Sequence, residues 1–370
     1  MRRARLLLSC FAGTLIAYLP SRAEADLTTG TIDGAHYTIA TPSHRPWNQQ
    51  LVLIAHGYRP ESAPLVADLF PHQSAYQTLI DEGWMVAKTS YRRNGIIVAD
   101  AITDLDQLLA HINATYGPTN RVILMGDSMG GTIATHLAER GGDDYDGLIA
   151  IGAALELREH GDAHGLNLAP QLPLLFVANR SEFDGPRNYL NETSAREGVH
   201  LVSPVLFRID RDGHVNVNQA ERLFAIRAMN SWLDRGRPGL PHPVLDKFFD
   251  ATQRPNPGLS QVAIDADARG LTAKVTEVSA IYGNVFLNLQ PADMAAIGWT
   301  EGLWAELIVG DQTFRVRHGR DFDSVERGEW VVFPNADGFT WLSRNWGNAA
   351  ETANLHVGSE IHLRRFPASN

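Results

Sequence analysis

Ser128 sits in the middle of Gly126-Asp127-Ser128-Met129-Gly130, and its surroundings suit a nucleophile. An apolar run, Val122-Ile-Leu-Met125, precedes the pentapeptide, and a helix-like stretch from Thr132 to Arg140 follows it. A sharp strand-to-helix turn lifts a serine hydroxyl clear of the sheet, and its crowding demands glycine on both sides. Such a hydroxyl attacks only when a base takes its proton, and the base, a histidine, needs a carboxylate to fix its tautomer. In the strand–turn–helix version of this chemistry the chain order is serine, acid, histidine. Downstream of Ser128, Asp212-Gly213-His214 lies between a strand pattern and a helix pattern, which makes His214 the candidate general base. The loop Asn179-Arg-Ser-Glu-Phe-Asp-Gly-Pro186 offers two acids. Spacing past the strand favours Glu182, aspartate is the commoner chemical choice and points to Asp184, and both stay open. A developing oxyanion needs two preorganised N–H donors. The amide of Met129, directly after the nucleophile, is one. The other is the amide of Tyr58 in Ile54-Ala-His-Gly-Tyr58, where Gly57 lets the backbone approach. His56 reads as a structural histidine beneath that loop.

These residues need a scaffold that brings them to one edge. From residue 26 to 236, short apolar runs alternate with helical periodicity: Leu51–Ala55, Trp84–Ala87, Val122–Met125, Leu148–Ile151, Leu174–Val177 and Val205–Ile209. Near-continuous apolar runs fit a sheet covered on both faces. Ala101 to Tyr116 and Asn216 to Arg235 carry apolar residues at helical spacing. The expected first domain is α/β, a doubly wound, mostly parallel sheet, in which loops at the carboxyl ends of the strands share one edge. Residues 237–261 form a proline-rich linker, with Pro238, Pro241, Pro243, Pro255 and Pro257, and room for one short helix around Val244 to Ala251. From residue 262 to 370 the pattern changes to alternation of apolar and polar residues, with hairpin signals at Gly310-Asp311 and Asn335-Ala-Asp-Gly338. A small antiparallel β domain, sandwich or barrel, is expected there.

The ends and the charge bound the setting. Residues 1–25 combine a basic start, Met1-Arg-Arg-Ala-Arg5, an apolar stretch and a small-x-small site at Ala23-Glu-Ala25, the pattern of a secretory signal peptide. Its removal would take away Cys10, the one cysteine, and four arginines against one glutamate, so the mature chain would be more acidic than the −10 of the whole sequence. Such acidity argues against nucleic acid or an anionic membrane as partner. The expected location is secreted or periplasmic.

Residues 30–236 resemble the α/β-hydrolase family through His56-Gly57, Gly126-Asp-Ser128-Met-Gly130 and Gly213-His214. The resemblance implies hydrolysis of an ester, thioester, amide or peptide without metal or organic cofactor. Residues 152–173, where many relatives carry a helical lid, number only some twenty, which implies an open site. The second domain resembles the C-terminal β domain of the S-adenosylmethionine hydroxide adenosyltransferases, the group that includes fluorinase-like enzymes, over residues 262–365. Ser279-Ala-Ile-Tyr-Gly-Asn284, Phe286-Leu-Asn288 and Trp346-Gly-Asn-Ala-Ala350 carry that likeness. It implies ligand-lining roles for Asn284, Asn348, Ala349 and Ala350. Ser279 stands where the family has an aspartate, and a hydrolase replaces the domain that completes the family's ligand site, so adenosyl chemistry is not expected.

His160, Asp162 and His164 lie among glycines, where a loop is expected and not a metal-binding helix face. Trp330, Trp341 and Trp346 suggest either core or a stacking face. The expectation is an exported serine hydrolase that cleaves a small-molecule carboxylic ester through an acyl-enzyme on Ser128. The rivals are a peptidase or amidase of the same fold and a nucleoside-like ligand-binding protein with a vestigial hydrolase domain.

Overall fold

The apolar runs of the first half are strands because both of their side-chain directions are covered. In β3 (Gln50–Ala55), Leu51, Leu53 and Ala55 enter one hydrophobic cluster while Val52 and Ile54 enter another. The period-2 alternation of a strand thus feeds two cores, one on each face. The structure, a computed structural model, describes residues 25–71, 73–156, 165–196, 202–235, 244–245 and 260–366. The expected leader and the sequence His160 to His164 lie outside the described residues, as does most of the expected linker.

The first sheet has nine strands in the order β1-β2-β4-β3-β5-β6-β7-β8-β9. They are β1 (Asp26–Ile32), β2 (Ala35–Thr41), β3, β4 (Met85–Thr89), β5 (Arg121–Asp127), β6 (Gly147–Ile151), β7 (Leu174–Asn179), β8 (Val205–Ile209) and β9 (Val244–Leu245). From β4 to β9 every pairing is parallel. β1 and β2 form an antiparallel hairpin about Asp33-Gly34, and β2 joins β4 antiparallel. Val244 and Leu245, expected to open a linker helix, instead extend this sheet by pairing with Leu206 and Phe207. Among the described residues five helices accompany the sheet: α1 (Ser74–Asp81), α2 (Val98–Tyr116), α3 (Met129–Arg140), α4 (Asp184–Ser194) and α5 (Gln219–Arg235). α2 belongs to the first face, with Leu105, Leu109 and Ile112 buried, and α5 to the second, with Ile226 and Met229. Parallel strands with helices on both faces make this the doubly wound architecture expected from the pattern. Because the strands run the same way, the loops after β3, β5, β7 and β8 all emerge at one edge.

The second sheet comprises β10 (Ala263–Ile264), β11 (Gly270–Val278), β12 (Val285–Leu287), β13 (Trp304–Val309), β14 (Gln312–His318), β15 (Trp330–Pro334), β16 (Thr340–Arg344) and β17 (Glu360–Arg365), with two short helices, α6 (Pro291–Ala296) and α7 (Ala349–Thr352). Its order runs β10-β11-β12-β16-β15-β14-β13-β17, and β17 returns to pair with β11, so seven strands close into a barrel. Closure removes the exposed edges that an open sheet this small would carry. Both hairpin signals are turns, at Val309↔Gln312 and Pro334↔Thr340. The pairing is antiparallel except between β14 and β15. Trp299, wholly buried, fills the core beside Leu307, Val316 and Leu363 and satisfies its Nε1–H on the Leu303 carbonyl at 3.0 Å. No helix among the described residues is long and apolar enough to cross a membrane.

Candidate active site

Ser128 caps β5 with φ 56° and ψ −115°. A non-glycine residue in the left-handed region costs on the order of 1–3 kcal/mol and persists only where its surroundings over-determine it. Here they do. A Cβ on Gly126 would lie 2.0 Å from the Gly130 carbonyl oxygen, and one on Gly130 would lie 2.0 Å from that of Ala55. Either side chain would force α3 away from β5 and β3. The Ser128 N–H is held by the Ile151 carbonyl at 2.9 Å, and its carbonyl accepts from Thr132 at 3.1 Å, the first bond of the helix.

The loops after β7 and β8 bring two side chains to this serine. His214 Nε2 lies 2.8 Å from Ser128 Oγ, and His214 Nδ1 meets Glu182 Oε1. With a carboxylate on Nδ1, that nitrogen carries the proton, so Nε2 is the acceptor and the serine hydroxyl donates to it. A single 3-10 turn, Arg180–Glu182, carries the acid past the end of β7. Glu182 Oε2 also accepts from the Val215 N–H at 3.3 Å. A Cβ on Gly152 would come 3.0 Å from this carboxylate, so the glycine leaves the space it occupies. Of the two acids open in the sequence, Asp184 lies elsewhere. Its side chain is 81% exposed at the start of α4 and paired with Arg187 at 2.7 Å, one helical turn on, with no contact to His214.

The two loops are stitched together beneath the triad of side chains. Ser181 Oγ donates to the Gly213 carbonyl at 3.0 Å and accepts the Gly213 N–H at 2.9 Å. Asn179 and Asn216 exchange two hydrogen bonds, at 3.0 and 2.8 Å. Arg211 and Glu221 form a buried ion pair, and the same groups also hold the Asn216 carbonyl and the Asn218 N–H. Asp127, next to Ser128, pairs with Arg222 of α5 at 2.9 Å. Burial lowers the affinity of the His214 imidazole for a proton. The Glu182 hydrogen bond, followed by the charges of Glu182, Asp127 and Asp323, outweighs it and leaves His214 above the ordinary histidine value.

Gly57 and the first turn of α3 face the serine. A Cβ on Gly57 would sit 3.1 Å from Ser128 Cβ, so only glycine allows the loop after β3 to approach this closely. Among the described residues, no protein acceptor takes the amide of Tyr58 or of Met129. Met129 begins α3, where the first N–H groups have no intrahelical acceptor and the helix dipole is positive. His56 lies below. Its imidazole is buried against Tyr91, ring centroids 4.0 Å apart, with the Gly57 and Ser90 carbonyls 2.7 and 3.1 Å from its two nitrogens. Burial, with Arg59 and Lys88 nearby, lowers its pKa to about 3, so it stays neutral and braces the loop. The same loop is anchored by Arg59 and Lys88 on Asp68. Burial raises the Asp68 carboxyl, but the two cations outweigh it and hold it below the usual carboxylate range.

The barrel meets this edge at several points. Asp337 accepts the Gln219 N–H at 2.9 Å, Arg320 pairs with Asp212 at 3.2 Å, and the Tyr282 hydroxyl donates to the Tyr58 carbonyl at 2.6 Å. These contacts were not readable in the sequence, because no local pattern says which barrel loop faces which strand end. The residues expected to line a ligand in the barrel have structural occupations. Asn348 accepts the Glu351 N–H at 2.9 Å and caps α7, Ala349 and Ala350 belong to the barrel core, and Asn284 is buried. The Ala350 N–H donates to the Gly283 carbonyl at 2.9 Å. Of the three tryptophans, Trp330 is core, Trp341 packs on Phe286 and Phe333, and Trp346 is 67% exposed.

Residues 96–192 match the serine aminopeptidase (S33) hydrolase family, and residues 281–362 match the C-terminal domain of the SAM hydroxide adenosyltransferases. Both resemblances drawn from the motifs therefore stand, and the first domain has the α/β-hydrolase fold. Among curated proteins none matches the chain. Solved structures similar to it include the esterase Pf2001 of Pyrococcus furiosus, at 14% identity over 57% of this chain and 91% of that one with TM-score 0.40. A bacterial brefeldin A esterase is 16% identical over 60% of this chain and 79% of its own, TM-score 0.41. A conserved protein of Thermotoga maritima is 24% identical over 39% of this chain, TM-score 0.27, and the chain spans 51% of its length.

Proposed function

We propose that this chain is an exported serine hydrolase that cleaves a small-molecule carboxylic ester through an acyl-enzyme on Ser128. The observation that carries this reading is the unbroken line of contacts from Ser128 Oγ to His214 Nε2, at 2.8 Å, and from His214 Nδ1 to Glu182. In the first half-reaction His214 takes the serine proton as Oγ attacks the carbonyl carbon, then passes it to the departing alkoxide. The amides of Tyr58 and Met129 receive the oxyanion. Glu182 holds the imidazole in the tautomer that leaves Nε2 free to accept, and it stabilises the imidazolium that forms. Water repeats the sequence and releases the acid. Only some twenty residues lie between β6 and β7, and so short a cap implies an open site, less suited to long acyl chains. The basic and apolar leader supports export.

Cleavage of an amide or peptide bond by the same residues is the second reading, and the match to the serine aminopeptidase family favours it. Ser128→Ala should abolish turnover of a short p-nitrophenyl ester and labelling by a fluorophosphonate, with the far-UV circular dichroism unchanged. Undiminished turnover in that variant would refute the acyl-enzyme. Comparing a matched ester and anilide separates the two bond types.

A further inference from the structure

Trp346 is built as folding alone would not build it. A tryptophan stabilises a fold by burial, and Trp84, Trp232, Trp299 and Trp330 are each no more than 6% exposed, whereas Trp346 is 67% exposed. Its backbone also lies in the left-handed region, at φ 56°. For a bulky residue that position is a true outlier and is stored strain. The turn around it is pinned on both sides. Gly347 N–H returns to the Arg344 carbonyl at 2.9 Å, and the neighbouring Asn345, buried, bonds to Glu329 and Val325 at 2.9 Å each. The Arg327 guanidinium lies 4.7 Å over the indole and steadies it further. The barrel therefore holds a rigid, exposed indole in place at a cost to itself.

The indole stands against Tyr58, the residue that supplies the proposed second oxyanion donor. Their ring centroids are 6.1 Å apart, at 49° to each other. Tyr58 follows Gly57, where an added Cβ would lie 3.1 Å from Ser128 Cβ, by one Cα step of about 3.8 Å. The main chain of Tyr58 is fixed from the barrel as well, by the Tyr282 hydroxyl at 2.6 Å. Burial, together with neighbouring carboxylates and against Arg59, raises that phenol to about 12, so it remains a hydrogen-bond donor throughout the neutral range. Two barrel residues thus converge on one residue of the hydrolase edge.

Building on the ester-hydrolase reading, we propose that Trp346 and Tyr58 form a substrate subsite for a planar aromatic ring beside Ser128, with Tyr282 positioning the Tyr58 main chain. An aromatic ring gains from an indole face in offset or edge-to-face contact beyond what its apolar area alone provides. A saturated ring of the same size does not. The substrate class is therefore an ester that carries an aromatic ring on either its acyl or its alcohol side.

The test uses the full chain and two matched pairs of esters: methyl 3-phenylpropanoate with methyl 3-cyclohexylpropanoate, and phenethyl acetate with 2-cyclohexylethyl acetate. The wild type should prefer the phenyl member of one pair about 3- to 10-fold in kcat/KM, and the pair concerned identifies the side of the ester. Trp346→Ala should erase that preference, raising KM for the phenyl ester about 3- to 10-fold more than for its cyclohexyl partner, which loses only apolar contact, with little change in kcat. Trp346→Leu, which keeps apolar bulk on the turn, should behave alike. Tyr282→Phe should lower kcat about tenfold on every ester at unchanged KM, as expected when an oxyanion donor drifts. Absence of a phenyl preference in the wild type overturns the subsite, as does equal loss on phenyl and cyclohexyl esters in both tryptophan variants. Unchanged kcat in Tyr282→Phe overturns its positioning role. If fluorophosphonate fails to label wild-type Ser128 and no ester is turned over, the hydrolase reading fails instead, which is a separate result.

Discussion

At the edge of the parallel sheet and at the α7 turn of the barrel, short motifs put polar groups in comparable places, but the two regions use them differently. Around Ser128 the backbone is strained and the glycines are crowded. The Tyr58 and Met129 amides have no protein acceptor among the described residues, and the serine hydroxyl faces a half-exposed histidine. At Asn348-Ala349-Ala350 the side-chain oxygen caps a helix, both methyls are in the core, and the Ala350 amide is bonded to Gly283. A motif can survive as architecture once its polar groups are satisfied internally. It marks a site where those groups remain unspent at an accessible edge. On that ground the hydrolase edge is the better candidate, and the barrel contributes by what it holds against that edge.

This contrast can be broken most directly at Ser128. Ser128→Ala should reduce kcat for a short ester by a factor on the order of 10⁶, measured by turnover at equal concentrations of folded protein. Glu182→Gln should cost about 10⁴-fold by presenting the wrong histidine tautomer, while Asp184→Asn stays within about twofold. Equal effects of these two substitutions would undo the assignment of the acid. The pH profile sharpens the same point. Activity requires neutral His214, and Glu182 holds its proton more tightly than usual, so kcat/KM should rise with pH through a single limb above about 6.5 and then level off. In Glu182→Gln the residual activity should titrate at lower pH, because the charge that stabilises the imidazolium is gone. The sign for stability is opposite. A raised histidine pKa adds stability that is full below the unfolded value of about 6.5 and is lost as pH rises through the folded value.

Smaller effects are expected where the site is braced and not built. Glu221→Ala leaves Arg211 buried and unpaired below the His214 loop, and should cost about 3–5 kcal/mol in urea unfolding. A loss below about 1 kcal/mol would mean that the loop is held some other way. The smallest effect tests the barrel side. Asn348→Ala removes a helix cap and should cost about 1 kcal/mol with kcat/KM unchanged. A large loss of activity without loss of stability would make Asn348 part of a ligand site after all.

The sequence by itself determined the chemistry-bearing elements. Gly126, Ser128 and Gly130 are legible because steric crowding at a strand-to-helix turn leaves few alternatives, and Gly213-His214 is legible from its place between the last long strand and the last helix. Leu51–Ala55 and Leu174–Val177 are legible because burial on both faces forces continuous apolar runs. The β1–β2 hairpin was not read, despite Asp33-Gly34, because its first strand is largely exposed and shows no apolar alternation. Only the tertiary structure shows which of Glu182 and Asp184 meets His214. The two lie two residues apart, and a 3-10 turn aims one at His214 while the start of α4 turns the other to solvent and Arg187. It also decided that Tyr282 and Trp346 reach Tyr58 across more than two hundred residues of chain. No local propensity encodes such a contact. It arises from how a closed barrel packs against the strand ends of a separate sheet.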